Sequence, residues 1–342
     1  MRQLKNIIQL VGSGYQLILP ALIFAVTLAI GILHAGTISN FPTVSLRYNT
    51  PISGTAAFRA RQHSIENTAG YTFWPTFWHQ CTAVISTNIR ETNAHAISFS
   101  GDAKLVWPAT YINGTAPSAV DARGIAVSHA LAHRLWGSVN IIGLPVYVNG
   151  TPRFVRGVFE GDIELALVSF HIEDTTPSFS AVELAGGNPT RTNVENYATT
   201  SGLGRPHNLL LGSPVTFARV LAIIPLFIPG MYLLVLTVKF AKAYFPQGGV
   251  VVIFTVLLLL AIFLPTLLDA LPLWLIPTRW SDFAFWSGLV NDGNYALRSF
   301  LSVSPTLRDV ELKLLLIRQV GIFIVTIGAA VWFSCTTSRV RV

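Results

Sequence analysis

Charge is what this sequence has least of. Of its 342 residues only 11% are Asp, Glu, Lys or Arg, against about 25% in an ordinary globular chain. The shortage is concentrated. No acidic or basic residue lies between Lys5 and Arg47, Arg219 and Lys239, Lys242 and Asp269, or Arg318 and Arg339. A helix that crosses a bilayer needs about 20 mostly apolar residues, and each gap can supply one. Spans are expected at 15–35, 217–238, 249–275 and 319–335. Cysteine is also scarce. Cys81 falls between the first two spans and Cys335 in the last, so the two cannot pair. That excludes a disulfide framework, and no CxxC metal motif occurs.

The charge that is present reports orientation. The formal net charge is +7. Arg2, Lys5, Lys239, Lys242, Arg339 and Arg341 lie in short segments that contain no acid, whereas 36–216 carries eleven bases and eleven acids. A nucleic-acid-binding domain would gather its bases on one folded unit, so no nucleic-acid partner is expected. Positive short segments stay in the cytoplasm. Residues 1–14, 239–248 and 336–342 are therefore expected inside, and 36–216 and 276–318 outside. The first apolar run exceeds the 7–15 residues of a signal-peptide core, which favours an uncleaved anchor. The fold class expected is an α-helical membrane protein with four transmembrane helices and an α+β extracytoplasmic domain between helices 1 and 2.

Within that domain, 36–61 reads as strand and loop and 72–91 as helix. Residues 96–99 and 103–107 read as short strands about Gly101-Asp102, and 186–214 as a mobile polar surface segment. The clearest stretch begins at 124. Ile125-Ala126-Val127 reads as a strand. Ser128 is placed to cap a helix, because its hydroxyl can accept an unpaired backbone N–H. Residues 129–136 make about two helical turns, with Leu131 and Leu135 on one face. Gly137 can adopt the left-handed conformation that ends a helix. Asn149-Gly150 then separates strands at 144–148 and 153–159, a hairpin signal because both turn residues need positive φ.

The run from Ile125 to Gly137 resembles the outer core domain of MacB/FtsX-like permeases. There an apolar strand, a Ser, a short Leu-Ala helix and an aromatic-Gly pair follow one another. The matching residues are Ser128, Leu131, Ala132, Leu135, Trp136 and Gly137. Gly143 and Gly157 continue the pattern through the hairpin. The order of one span, an outer domain and three spans is also similar. The resemblance implies a bacterial plasma-membrane, permease-type subunit of an ABC system, driven by a separate ATPase and paired with itself or a second permease. The chain has no GxxxxGK[ST] motif of its own. The inner loop 239–248 is short, and Lys239, Phe240, Lys242, Tyr244 and Phe245 are the residues it offers an ATPase. A membrane-anchored sensor or ligand-binding protein without an ATPase is the alternative.

No catalytic, cofactor or metal site is expected. His129 and His133 share a helix face, but the Glu that a zinc protease needs after the first His is Ala130. Glu160, Asp162 and Glu164 alternate as on a strand, yet calcium wants 6–8 oxygens. Trp274, Trp280, Phe283, Phe285 and Trp286 suit an interfacial aromatic belt. Arg219 and Asp269 are equidistant from the inner loop and are expected to pair, since ionisable residues within spans are costly alone.

The charge asymmetry generates a direct test. A cysteine at Ser201 should react with an impermeant maleimide on intact cells, and one at Thr337 should not. The reverse pattern would invert the topology.

Overall fold

The computed structural model describes residues 2–41, 44–67, 72–187, 189–232, 235, 254, 258, 283–302 and 305–339. The helices are α1 (Arg2–Ile38), α2 (Gly54–Glu66), α3 (Ala103–Val106), α4 (His129–Trp136), α5 (Arg191–Thr200), α6 (Ser213–Ile223), α7 (Phe283–Ser302) and α8 (Leu307–Arg339). The strands are β1 (Val44–Ser53), β2 (Phe73–Ser86), β3 (Glu91–Ser100), β4 (Tyr111–Gly114), β5 (Gly124–Ser128), β6 (Pro145–Val148), β7 (Thr151–Phe159), β8 (Leu165–Ser169), β9 (Ser178–Gly186) and β10 (Asn208–Leu211). They fall into two units. One comprises Met1–Ser39, Pro214–Asp292 and Asp309–Val342, the other Asn40–Ser213 and Gly293–Arg308.

All the strands belong to the second unit and form one sheet in the order β10-β1-β9-β2-β3-β8-β5-β7-β4. β3/β8 and β5/β7 are parallel and the other pairs antiparallel. β6 joins β2 to β7, so β2-β3-β8-β5-β7-β6 closes on itself. Every residue of β5 and β8 is buried, as expected of strands covered on both faces. Ile125, Val127, Ala166 and Val168 enter one core, which α4 completes with Leu131, Ala132 and Leu135. Ala126, Leu165 and Leu167 enter another with Trp78, Ile97 and Phe99. A third core joins β1, β2 and β9 to Ala57 and Ala60 of α2 and to Val194 and Tyr197 of α5.

Residues 124–159 fold as their spacing indicates. The Ser128 hydroxyl accepts from the Leu131 N–H (3.2 Å) and also from the Leu165 N–H (3.1 Å). It thereby caps α4 and fixes the start of β8. Gly137 ends the helix at φ +71°, and Asn149 and Gly150 turn at φ +47° and +79°. Gly157 is required for space, because a Cβ there would lie 2.4 Å from the Thr115 carbonyl oxygen. The motif residues thus build the closed part of the sheet and its helical cover.

Elsewhere the structure corrects the expectations. Residues 72–91 are strand, not helix: β2 pairs with β9 through its first half and β3 through its second. Serving three cores, it buries residues on both faces and shows no clean alternation. Residues 54–66 are helix rather than loop. Ser53 caps α2, whose inner face is Gly54, Ala57, Ala60 and Ser64, too small to give an apolar stripe. Arg61 of this helix lies over Phe77 and donates to the Ile172 and Ser100 carbonyls. Burial lowers its pKa to about 10, so it remains a cation at neutral pH. Residues 103–106 form a helical turn capped by Asp102. The 186–214 segment contains α5 and β10, and Thr190 caps α5.

Among the described residues, three helices are long and apolar enough to cross a membrane: Ile18–Ile38, Pro214–Tyr232 and Leu307–Thr336. The expected span at 249–275 lies outside the described residues except for Phe254 and Leu258. A single amide joins the three helices. Gln319, fully buried, donates from Nε2 to the carbonyls of Gly31 (3.3 Å) and Ala218 (3.5 Å). Its Oε1 lies 3.0 Å from His34 Nδ1; a carbonyl oxygen only accepts, so Nδ1 carries the proton. Such bonds between membrane helices contribute about 0.6–2 kcal/mol each.

Ser201 is buried, so exposed Thr199 is the better labelling position on the second unit. The double role of Ser128 generates a stability prediction. Ser128→Ala removes a cap and strands a second buried N–H, which together should cost about 2–4 kcal/mol. Ser138→Ala, which loses only an exposed turn bond, should cost less than about 1 kcal/mol. Denaturant melts followed by near-ultraviolet circular dichroism measure both, and equal losses would contradict the assignment.

Candidate functional site

The most unusual chemistry in the second unit surrounds Glu183, which is completely buried. It sits in β9 opposite Ser45 of β1 and Thr76 of β2. Side chains alternate along a strand, so Arg47 and Trp78, each two residues on, share its face. Val182 and Leu184 face the opposite way, into the third core. The carboxylate therefore lies on the side of the sheet away from that core.

Its Oε1 collects donors from three directions. The Ser45 hydroxyl donates at 2.8 Å and the Trp78 indole N–H at 2.9 Å. Arg308, at the second position of α8, donates from its guanidinium. The Arg47 guanidinium lies 3.7 Å away. Both arginines also stack on aromatic rings: Arg47 is 4.6 Å from the centroid of Trp78, and Arg308 is 5.3 Å from Trp78 and 5.9 Å from Phe41. The neighbouring Leu307 N–H donates to Gln80 Oε1 of β2 at 2.9 Å. That N–H is one of those a helix start leaves without an internal partner. Two successive residues of α8 are thus bound to the sheet, and α8 spans 33 residues in all.

The residues singled out in the sequence are placed elsewhere. Ser128, Leu131, Ala132 and Leu135 are buried in the closed sheet, Trp136 packs beside them, and Gly137, Gly143 and Gly157 shape its turns and contacts. The His129 and His133 rings are 4.4 Å apart. Among the described residues no group of three His, Cys, Asp or Glu is arranged to hold a metal ion. Glu160, Asp162 and Glu164 follow β7 in a loop rather than a strand, so they do not share a strand face. Glu164 instead accepts from the Thr92 hydroxyl and lies 4.0 Å from Arg134. Phe283, Phe285 and Trp286 begin α7; Trp274 and Trp280 lie outside the described residues. Arg219 donates to the Ser39 hydroxyl at 3.1 Å, and Asp269 lies outside the described residues. So do Lys239, Phe240, Lys242, Tyr244 and Phe245.

No family model matches this chain. No curated protein matches it either. Solved structures do. The extracellular domain of the noncanonic ABC-type transporter YknZ from Gram-positive bacteria is 13% identical, covering 46% of this chain and 88% of that one, with a TM-score of 0.36. The periplasmic region of MacB from Actinobacillus actinomycetemcomitans is 10% identical, covering 49% and 87%, with a TM-score of 0.39. This chain is similar to the outer domains of MacB/YknZ-type ABC transporters.

The Glu183 cluster escaped the sequence reading because its members are spread from 45 to 308. One local signal was available: Glu183 interrupts the apolar run Ala181-Val182-Glu183-Leu184-Ala185, where a charge needs a buried partner. The cluster generates an ordering of losses. Glu183→Ala leaves two buried guanidinium groups facing each other and should cost about 3–5 kcal/mol. Arg308→Met leaves Arg47 to neutralise the acid and should cost less. The double variant should lose less than the sum of the singles, as expected of coupled sites. Thermal unfolding of the full chain in nanodiscs gives the comparison; additive losses would show the pair to be uncoupled.

Proposed function

We propose that this chain is a permease-like subunit of the bacterial plasma membrane. It is read as multi-pass, with both termini inside, and as transmitting motion between a separate ABC ATPase and its outer domain. The observation that carries the reading is the root of α8. Arg308 and Leu307 are bonded to β9 and β2, and the helix then runs on as an apolar segment. In this reading a movement of α8 would be felt first at Arg308 and Leu307, which belong to the second unit. Gln319, twelve residues along the same helix, bonds α1 and α6, so the apolar helices have a means of moving together.

The inner loop 239–248 is the proposed ATPase contact. Phe240, Tyr244 and Phe245 would dock, and Lys239 and Lys242 would steer the approach. A subunit of this kind needs no cofactor and carries out no chemistry itself. The same junction run in reverse would serve a sensor, with ligand binding outside moving α8.

Purification from the native membrane in mild detergent separates the two readings. An ABC ATPase should accompany the unmodified chain and be depleted about tenfold or more by the Tyr244→Ala/Phe245→Ala double variant, the loss expected of two interface aromatics. Absence of any ATPase from the unmodified sample would favour the sensor. An ATPase retained by the double variant would place the contact elsewhere.

A further inference from the structure

A groove on the second unit begins one residue beyond Arg47, and its lining contains no member of the Glu183 cluster. Its first wall is a break in β1. The ladder with β9 runs in register through Arg47, loses it, and resumes at Ile52, so the intervening residues bow out of the sheet. Such bulges recur beside binding and active sites. The second wall is the turn after α5, where Gly202 and Gly204 take φ +78° and +73°. The His207 N–H donates to the Arg47 carbonyl at 2.8 Å, which holds this wall against β1. Between them is a cavity of about 530 Å³, within the usual range of roughly 300–1,000 Å³ for small-molecule sites.

The lining is amphipathic and of one charge sign. Ile52 and Leu203, both buried, form an apolar floor together with Ala56. Arg205 and His207 are exposed on the rim, and no carboxylate lines the groove. The Tyr48 hydroxyl donates to the Gly204 carbonyl at 3.4 Å. Burial, and then the neighbouring Tyr197, raise the pKa of this phenol, so it stays neutral. The Arg205 charge disfavours a cationic ligand here. A bare inorganic anion would reach Arg205 but leave the apolar floor unused.

We propose that this groove binds a small amphipathic anion, one with an apolar body and a single carboxylate or sulfonate end. The body lies on Ile52 and Leu203, and the anionic end meets the Arg205 guanidinium, which offers a planar fork of donors matched to a carboxylate. The site is independent of ATPase coupling and would serve a permease or a sensor alike.

The probe is 4-benzoylbenzoate, a photoreactive aromatic carboxylate, applied to the full chain in nanodiscs; its neutral methyl ester is the control. The carboxylate should label the peptides containing 48–56 and 203–207. Arg205→Glu should lower that yield by about fivefold or more, the loss of one charge-assisted hydrogen bond, and Arg205→Lys should restore part of it. Excess dodecanoate should compete. Equal labelling of these peptides by the ester would overturn the proposal, as would an unchanged yield in Arg205→Glu. Because Arg205 is exposed, near-ultraviolet circular dichroism should show the fold retained, and the ester comparison is made on the unmodified protein.

Discussion

Burying the Glu183 carboxylate sets a constraint that several elements of the second unit must meet together. Removing an isolated carboxylate from water costs several kcal/mol even after relaxation, so it must gather donors wherever the chain can supply them. Here they come from β1, β2 and α8, and Arg308 is 125 residues away in sequence. Satisfying one acid therefore fixes three strands and a helix start at one point. Replacing such a cluster by apolar residues is often neutral or stabilising, which makes it a weak source of net stability. Its value is geometric. An apolar contact tolerates sliding, whereas hydrogen bonds and stacked guanidinium groups define where the first turn of α8 must be.

The apolar helices have a corresponding fixed point. In hydrocarbon there is little hydrophobic drive for one helix to prefer another, so small residues and polar bonds select the partners. Gln319 supplies the bonds. Gly31 supplies the close approach, since a Cβ there would lie 3.3 Å from Ile322. Glu183 and Gln319 thus act on the same helix, one at its root and one within its apolar length.

What was legible in the sequence depended on how local the cause was. The stretch from Ile125 to Phe159 could be read because its punctuation is nearby: a capping Ser, a left-handed Gly and an Asn-Gly turn, each acting within a few residues. The apolar helices were legible for the same reason, as composition alone sets them apart. β2 was not, because its two halves answer to different cores and the alternation cancels. α2 was missed because its buried face is alanine, glycine and serine, although Ser53 and the spacing of Ala57, Ala60 and Ser64 were there to be noticed. α5 looked like loop because it is polar, and β10 because it is only four residues long. Non-local causes left the weakest trace: Glu183 announces only that it needs partners, and Arg308 looks like any charge flanking a span. The sequence pointed to Arg219 as half of an ion pair with Asp269, which lies outside the described residues.

Arg308 at the start of α8 and Glu183 in β9 are bonded directly, so their segments should open together. Hydrogen exchange measured by mass spectrometry on the full chain in nanodiscs tests this directly, comparing the unmodified protein with Arg308→Met. Amides of Ser178–Gly186 and those at the start of α8 should lose protection together, while the peptides of β5 and α4, whose bonds lie elsewhere, keep theirs. Faster exchange on only one side of the junction, or none on either, would contradict the account.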